Sequence, residues 1–253
     1  LLEPIALTPQ ALWIGDWLSP TEVTQVVAEY TGAAELDSTI PVLVLYAIPG
    51  RDCGSHSAGG LTAPEYTIWL DAVAAGITGE PWVIVEPDAL PQVGTCAGQG
   101  DRIGLLREAA TTMTTAGARV YLDVGHSDWL TTAQAIRNLK RVGFDDAVGF
   151  ALNTSNFGST ADERAYGEEI VKGLDDDVSF IIDVSRNGRG STGEWCNPPG
   201  RALGVAPRLV SDRTALDALL WVKAPGESDG TCNGGPAAGE WWQERALELS
   251  RNR

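Results

Sequence analysis

Apolar positions along this chain gather into short unbroken runs: PVLVLY (41–46), PWVIVE (81–86), ARVYLD (118–123), AVGFALN (147–153), VSFIID (178–183) and LLWVK (219–223). Runs of that length, rich in β-branched residues and without a polar face, predict strands covered on both sides, as in a parallel sheet or barrel. Between them, residues 64–75, 101–116, 131–142 and 161–172 read as helices. Gly76, Gly117, Gly143 and Gly173 stand just past those helices, where a residue able to take positive φ readily ends one. Strand alternating with helix predicts βαβ units.

Polar groups accumulate where the strands give out. Tyr46 and Asp52 follow the first run, Asp88 the second, Asp123 and His126 the third, and Asn153 the fourth. Ser185 and Arg186 follow the fifth, and Lys223 with Asp229 the sixth. In parallel β/α architectures the carboxyl ends of the strands are where ligands bind and catalytic groups converge. The second run shows the pattern closely: in PWVIVEPDALPQ, Pro87 forbids an ordinary helical continuation, so Glu86 and Asp88 are presented as the strand ends. A single acid there often only anchors a turn, so the other rim residues carry the weight. Gly/Pro/Ser-rich loops at 49–60, 186–207 and 224–239 add to it, because long loops in compact domains are often functional.

Composition narrows the partners. A chain of 253 residues with 43% hydrophobic content buries one substantial core, and without an internal linker it reads as a single domain over residues 1–253. A net charge of −16 and a pI near 4.4 repel a phosphate backbone, which argues against nucleic acid. No apolar run reaches the roughly 18 residues of a membrane span. The amino-terminal residues read as no signal peptide, and a start at Leu1 without methionine is expected of a processed product. The four cysteines, Cys53, Cys96, Cys196 and Cys232, lack the CxxC spacing of common zinc sites and sit in Gly-rich loops, so two disulfides are expected. Three pairings are open to four cysteines. Disulfides in turn favour a secreted, extracellular protein.

VLYAIPGRDCGSHSAGG (44–60) and VIVEPDALP (83–91) together resemble the two signatures of glycoside hydrolase family six, the inverting cellulases. YLDVGHSDWL, FIIDVSRNGRG, EWCNPPGRALG and WVKAPGESDG resemble further blocks of that family in the same order, so the resemblance covers nearly the whole chain. It implies an α/β fold, a single-domain distorted parallel β/α barrel with fewer than eight regular strands. It implies hydrolysis of β-1,4-glucan (cellulose and cellooligosaccharides) without metal or other cofactor, and the bridges Cys53–Cys96 and Cys196–Cys232.

The resemblance also distributes roles. Inverting hydrolysis needs one protonated carboxyl to donate to the leaving oxygen, while water attacks the opposite face with help from a base. Asp88 matches the general acid, and Asp52 a second aspartate whose negative charge raises the acid's pKa and which can relay a proton from the attacking water. Asp229, in GESDG, matches the position proposed as base, and both assignments stay open. Asp123 resembles a further active-site aspartate, and Tyr46 a ring that crowds the sugar at the cleaved bond. Glu86 is expected to be structural or inward-facing. Of nine tryptophans, Trp13, Trp129 and Trp195 resemble sugar platforms, whereas Trp69, Trp82 and Trp221 fall in helix or strand patterns and are expected in the core. His126, Asn153, Lys223 and Glu227 are expected hydroxyl contacts, while His56 reads equally well as a plain loop residue. One departure stands after Asp52: Ser57 is followed by Ala58, where the relatives commonly place a serine hydroxyl.

The compact interval from Cys196 to Cys232 favours an open-cleft endoglucanase, and the protein is expected to be secreted and monomeric and to meet neither membrane nor nucleic acid. A cellobiohydrolase of the same family is the alternative. More distant are a metal-dependent barrel enzyme using Glu86, Asp123 and Asp183, and a glucan-binding module that has lost its chemistry.

Overall fold

The computed structural model describes residues 1–174 and 177–253. Its sheet runs β1 (Leu12–Gly15), β2 (Val42–Tyr46), β3 (Trp82–Val85), β4 (Arg119–Asp123), β5 (Gly149–Leu152), β6 (Ser179–Asp183), β8 (Leu216–Leu220) and β7 (Arg208–Leu209) in spatial order. All neighbours pair parallel except the two-residue β7, which is antiparallel to β8 at the edge. The sheet curls until β1 approaches the end of β8, where the Ala11 N–H donates to the Trp221 carbonyl (3.0 Å) and the Trp13 indole N–H to the Val222 carbonyl (2.8 Å). Those bonds stand where a regular barrel has a ladder, which makes this the distorted β/α barrel that the runs and the resemblance imply.

Helices α1 (Glu3–Ala6), α2 (Pro20–Leu36), α3 (Ala63–Gly76), α4 (Arg102–Thr115), α5 (Thr132–Val142), α6 (Thr160–Gly173) and α7 (Gln243–Arg251) accompany the sheet. The four expected helices are present within about a residue of their expected ends. The sixth run is displaced: its ladder covers 216–220, and Trp221 to Lys223 lie past it. β1 and α2 are additions, although α2 carries a visible start signal, Ser19-Pro20-Thr21-Glu22, a capping box with proline at the first helical position. Gly117 and Gly143 take positive φ as expected, at 95° and 90°. Gly76 and Gly173 instead close their helices with ordinary φ. A Cβ there would strike the Thr24 carbonyl on α2 and Ile136 on α5, so these glycines serve close helix contact.

Strand alternation divides the core in two. Leu43 and Leu45, Val83 and Val85, and Val120 and Leu122 face the helices and join the larger core, with Trp69 and Trp221. Val44, Trp82, Ile84, Tyr121, Ala151, Ile181 and Ala218 fill the barrel interior. Trp69, Trp82 and Trp221 are all buried, as expected. Two residues beyond the interior layer come Tyr46, Glu86, Asp123, Asn153 and Asp183, which set the chemistry of the barrel mouth.

Candidate active site

A strand end in a parallel sheet leaves amide donors without a partner, and a buried unpaired donor is costly. Here acids supply the acceptors. Glu86 takes the amides of Ala47 and Ile48 (3.0–3.1 Å) and the hydroxyl of Tyr66 on α3 (2.9 Å). Its positive φ of 48° reverses the strand alternation, so it is structural and turned to the helix layer, not to the barrel. Asp183 takes four amides, those of Ser185 and Val222 on one oxygen and Ser155 and Lys223 on the other. Asp123 accepts from the amides of Asp88 and Gly125 (both 3.0 Å) through Oδ1, while its buried Oδ2 has no hydrogen-bond partner.

This arrangement argues against the metal-dependent reading, because the Glu86 oxygens are taken by two backbone amides and the Tyr66 hydroxyl and those of Asp183 by four backbone amides. The cluster of His56, Cys196 and Cys232 that could hold an ion among the described residues has both sulfurs joined in a disulfide. Asn153 needs correction as well. It is fully buried, its side chain bonded to the Gly158 backbone and the Asp183 carbonyl, so it shapes the mouth from beneath and does not reach the cleft.

Above this layer lies a cleft of about 1180 Å³. Tyr46, Asp52, Asp88, His126, Lys223, Glu227 and Asp229 line it, with Trp13, Trp129 and Trp195. Asp123 lies under its floor, touching Asp88 through the backbone bond already given. Burial and the charges of Asp123 and Asp52 hold the Asp88 carboxyl well above the usual carboxylate range. Burial also raises Asp123 and Asp52, the latter opposed by the Ser57 amide at 2.7 Å on its Oδ2. Burial first, then Asp88 and Asp52, push the Tyr46 phenol up, so it stays protonated. The backbone is forced here too: Asp52, Cys53, Asp88, Ser155 and Asn197 all take φ between 49° and 69° without being glycine. Such conformations cost about 1–3 kcal/mol each and persist where the surroundings over-determine them, commonly at functional sites.

The opposite wall is built differently. Asp229 Oδ1 pairs with Arg186 Nη1 at 2.8 Å, with both side chains buried, and its Oδ2 accepts the Asn197 amide at 3.0 Å. Arg186 also donates to the Ser155 carbonyl. Lys223 Nζ meets Glu227 at 2.8 Å and lies 5.7 Å from the Trp13 ring centre. Trp195 and Trp129 are 48% and 38% exposed, flat faces left available to a ligand. Each lies 5.8 Å from a histidine ring, His56 and His126 respectively.

The disulfides are those that the resemblance implied. Cys53–Cys96 ties the loop bearing Asp52 to the segment that follows Asp88. Cys196–Cys232 ties the loop bearing Trp195 to that bearing Asp229. Sequence reading missed Arg51, which donates to Asp16, to the Tyr46 carbonyl and to the Ser57 carbonyl, and so fixes the Asp52 loop. It missed Glu163 on α6, which holds Ser127 between His126 and Trp129. It missed Trp17, also in the cleft. An arginine adjoining a candidate acid and a tryptophan four residues past another platform were the available signals.

A curled parallel β/α barrel with carboxylates and aromatic faces converging at the carboxyl ends of its strands defines the class, a β/α-barrel enzyme. The particular family follows from comparison: the model of glycosyl hydrolases family 6 matches residues 1–253, and the chain belongs to that family. It is 60% identical over 252 residues to endoglucanase A of Cellulomonas fimi, a match covering 100% of this chain and 56% of that protein. The chain therefore spans little more than half the length of that relative. Endoglucanase 1 of Streptomyces sp. (strain KSM-9) is 41% identical over 258 residues, covering 99% of this chain and 71% of that one. The structure of the endoglucanase Cel6 from Mycobacterium tuberculosis, in complex with methyl-cellobiosyl-4-deoxy-4-thio-β-D-cellobioside, superposes with a TM-score of 0.93 at 43% identity, covering 98% of this chain and 88% of that one.

Proposed function

We propose that this chain is the catalytic part of a secreted, monomeric endo-β-1,4-glucanase that cleaves internal bonds of cellulose with inversion. The observation that carries the reading is Asp88: a cleft carboxyl whose pKa is held well above the usual carboxylate range by burial and by two neighbouring aspartates, facing aromatic platforms. The names of the two relatives and the thio-oligosaccharide in the similar structure support β-1,4-glucan as the substrate. The two disulfides support an oxidising, extracellular setting.

In this reading Asp88 donates its proton to the leaving oxygen, and Asp52 and Asp123 keep that proton in place until the glycosidic oxygen claims it. Tyr46, neutral at the barrel mouth, crowds the sugar at the cleaved bond toward a distorted ring. Water attacks the opposite face, and its proton leaves through Asp52 or to Asp229. Both Asp229 oxygens already accept hydrogen bonds, Oδ1 from Arg186 and Oδ2 from the Asn197 amide. This favours relay through Asp52. Trp13, Trp129 and Trp195 stack on glucosyl faces, while His126, Lys223 and Glu227 meet hydroxyls.

Fresh product from a soluble cellooligosaccharide should be the α-anomer by NMR, and initial β-product would contradict inversion. On carboxymethylcellulose, viscosity should fall early relative to reducing ends released. Cellobiose release with viscosity nearly unchanged would replace the endo reading with a cellobiohydrolase.

A further inference from the structure

The aromatic lining continues past the three expected platforms. Trp13 meets Tyr46 edge-on at 5.3 Å. The Arg51 guanidinium then lies 4.7 Å from the Tyr46 ring centre and 5.6 Å from that of Trp17, bridging the two rings. Trp17 lines the same cleft and is 54% exposed, more than either Trp129 or Trp195. A single exposed apolar side chain on a protein surface needs no explanation. Trp17 is set apart by how firmly it is held.

Its ring lies over Gly15, where any Cβ would run into the indole and the Tyr46 carbonyl. Arg51, beside it, is itself fixed by Asp16 at 2.5 Å and by the carbonyls of Tyr46 and Ser57 at 2.7 and 2.8 Å. The indole is thus pre-oriented by a rigid ion pair while more than half of the residue is left to solvent. Pre-orientation of this kind lowers the entropy lost on binding. The Asp16 carboxylate that holds Arg51 also accepts the Gly60 amide at 2.8 Å, which anchors the pair further.

We propose that Trp17 forms a further sugar-stacking subsite, taking the apolar C–H face of a β-linked glucosyl unit beyond those that meet Trp13 and Tyr46. The proposal rests on the glucan reading above. It makes Trp17 a determinant of how affinity grows with chain length.

The test is calorimetric binding of cellotriose and cellohexaose to the full chain carrying Asp88→Asn, which prevents turnover. Adding Trp17→Ala should lower the ratio of cellohexaose to cellotriose affinity about five- to tenfold. Trp17→Leu, which fills space without a flat face, should do the same if the alanine variant fails to fold. Trp17→Tyr should restore most of the ratio. An unchanged ratio, or equal weakening of both ligands, overturns the subsite while leaving the glucan reading intact. Failure of the Asp88→Asn protein itself to bind either ligand overturns the glucan reading and this proposal with it.

Discussion

The two walls of the cleft carry acids under opposite electrostatic conditions. On one, Asp52 and Asp88 line the cleft with Asp123 buried beneath them, and among the described residues no ion pair joins them to a cation; Arg51, next to Asp52 in the chain, is bonded to Asp16. On the other, Asp229 faces Arg186 and Glu227 faces Lys223, each at 2.8 Å. Like charges without compensation favour the protonated state, whereas a buried cation favours the ionised one. One barrel mouth therefore holds a carboxyl whose pKa is raised well above the usual range and, across from it, a carboxylate bonded to a buried cation. Each wall is closed by its own disulfide, and His56 of the first packs against Trp195 and Gly230 of the second.

The largest effect should come from breaking the compensated wall. Arg186→Met leaves the Asp229 carboxylate buried without its counter-ion and should cost about 3–5 kcal/mol of stability in chemical denaturation. Asp229→Asn added to it should recover much of the loss, since the uncompensated charge is then gone. A single-variant cost below about 1 kcal/mol would mean that solvent already compensates Asp229. The matching change on the other wall acts on chemistry instead. Asp88→Asn should lower turnover roughly 10²-fold on substrates with poor leaving groups, about 2.7 kcal/mol in barrier, with far less loss for an activated aryl leaving group. Equal losses on both substrates in a folded variant would remove Asp88 as the donor.

The contrast between the walls was only half legible in the sequence. The strands were readable because both of their faces are buried, which produces unbroken apolar runs, and Asp52, Asp88 and Asp229 stood where those runs end. β1 escaped because only Ile14 and Gly15 of its four residues are buried, whereas β3 and β5, equally short, are buried throughout, and α2 because its capping signal precedes a mixed face. Charge compensation was invisible, since Arg186 and Asp229 are 43 positions apart and only the fold brings them together. Asn153 and Glu86 look like rim residues by position. What turns them inward or aside is the need to satisfy strand-end amides and carbonyls, together with positive φ at each, and spacing alone does not encode that.

The smallest expected effect lies behind the first wall and asks how far its uncompensated character extends. Glu163 is fully buried, and its carboxylate accepts the Ser127 amide at 3.2 Å and the Ser127 hydroxyl at 2.7 Å, fixing the turn that places His126 and Trp129 in the cleft. Burial pushes it up to about 7 from 4.5, with the charges of Asp128 and Asp162 acting in the same direction. Of the other groups facing it, Tyr166 stays protonated with its pKa pushed upward, and burial lowers His126 from its ordinary value. Above about pH 7 the ionised Glu163 serves Ser127 with both oxygens; below it, one oxygen carries a proton and is lost as an acceptor. KM should therefore rise as pH falls through about 7; kcat is no clean readout of Glu163, because burial also raises Asp123 to about 7 beside the Asp88 donor. Stability should move the other way, because a raised carboxyl pKa adds stability that is present below about 4.5 and lost as pH rises through about 7. Glu163→Gln keeps the shape and one acceptor, so its KM should sit about two- to fivefold above the wild-type alkaline value and stay flat across this range. A Gln variant whose KM still rises below pH 7 would place the titrating group elsewhere on that wall, with Asp123 the next to examine.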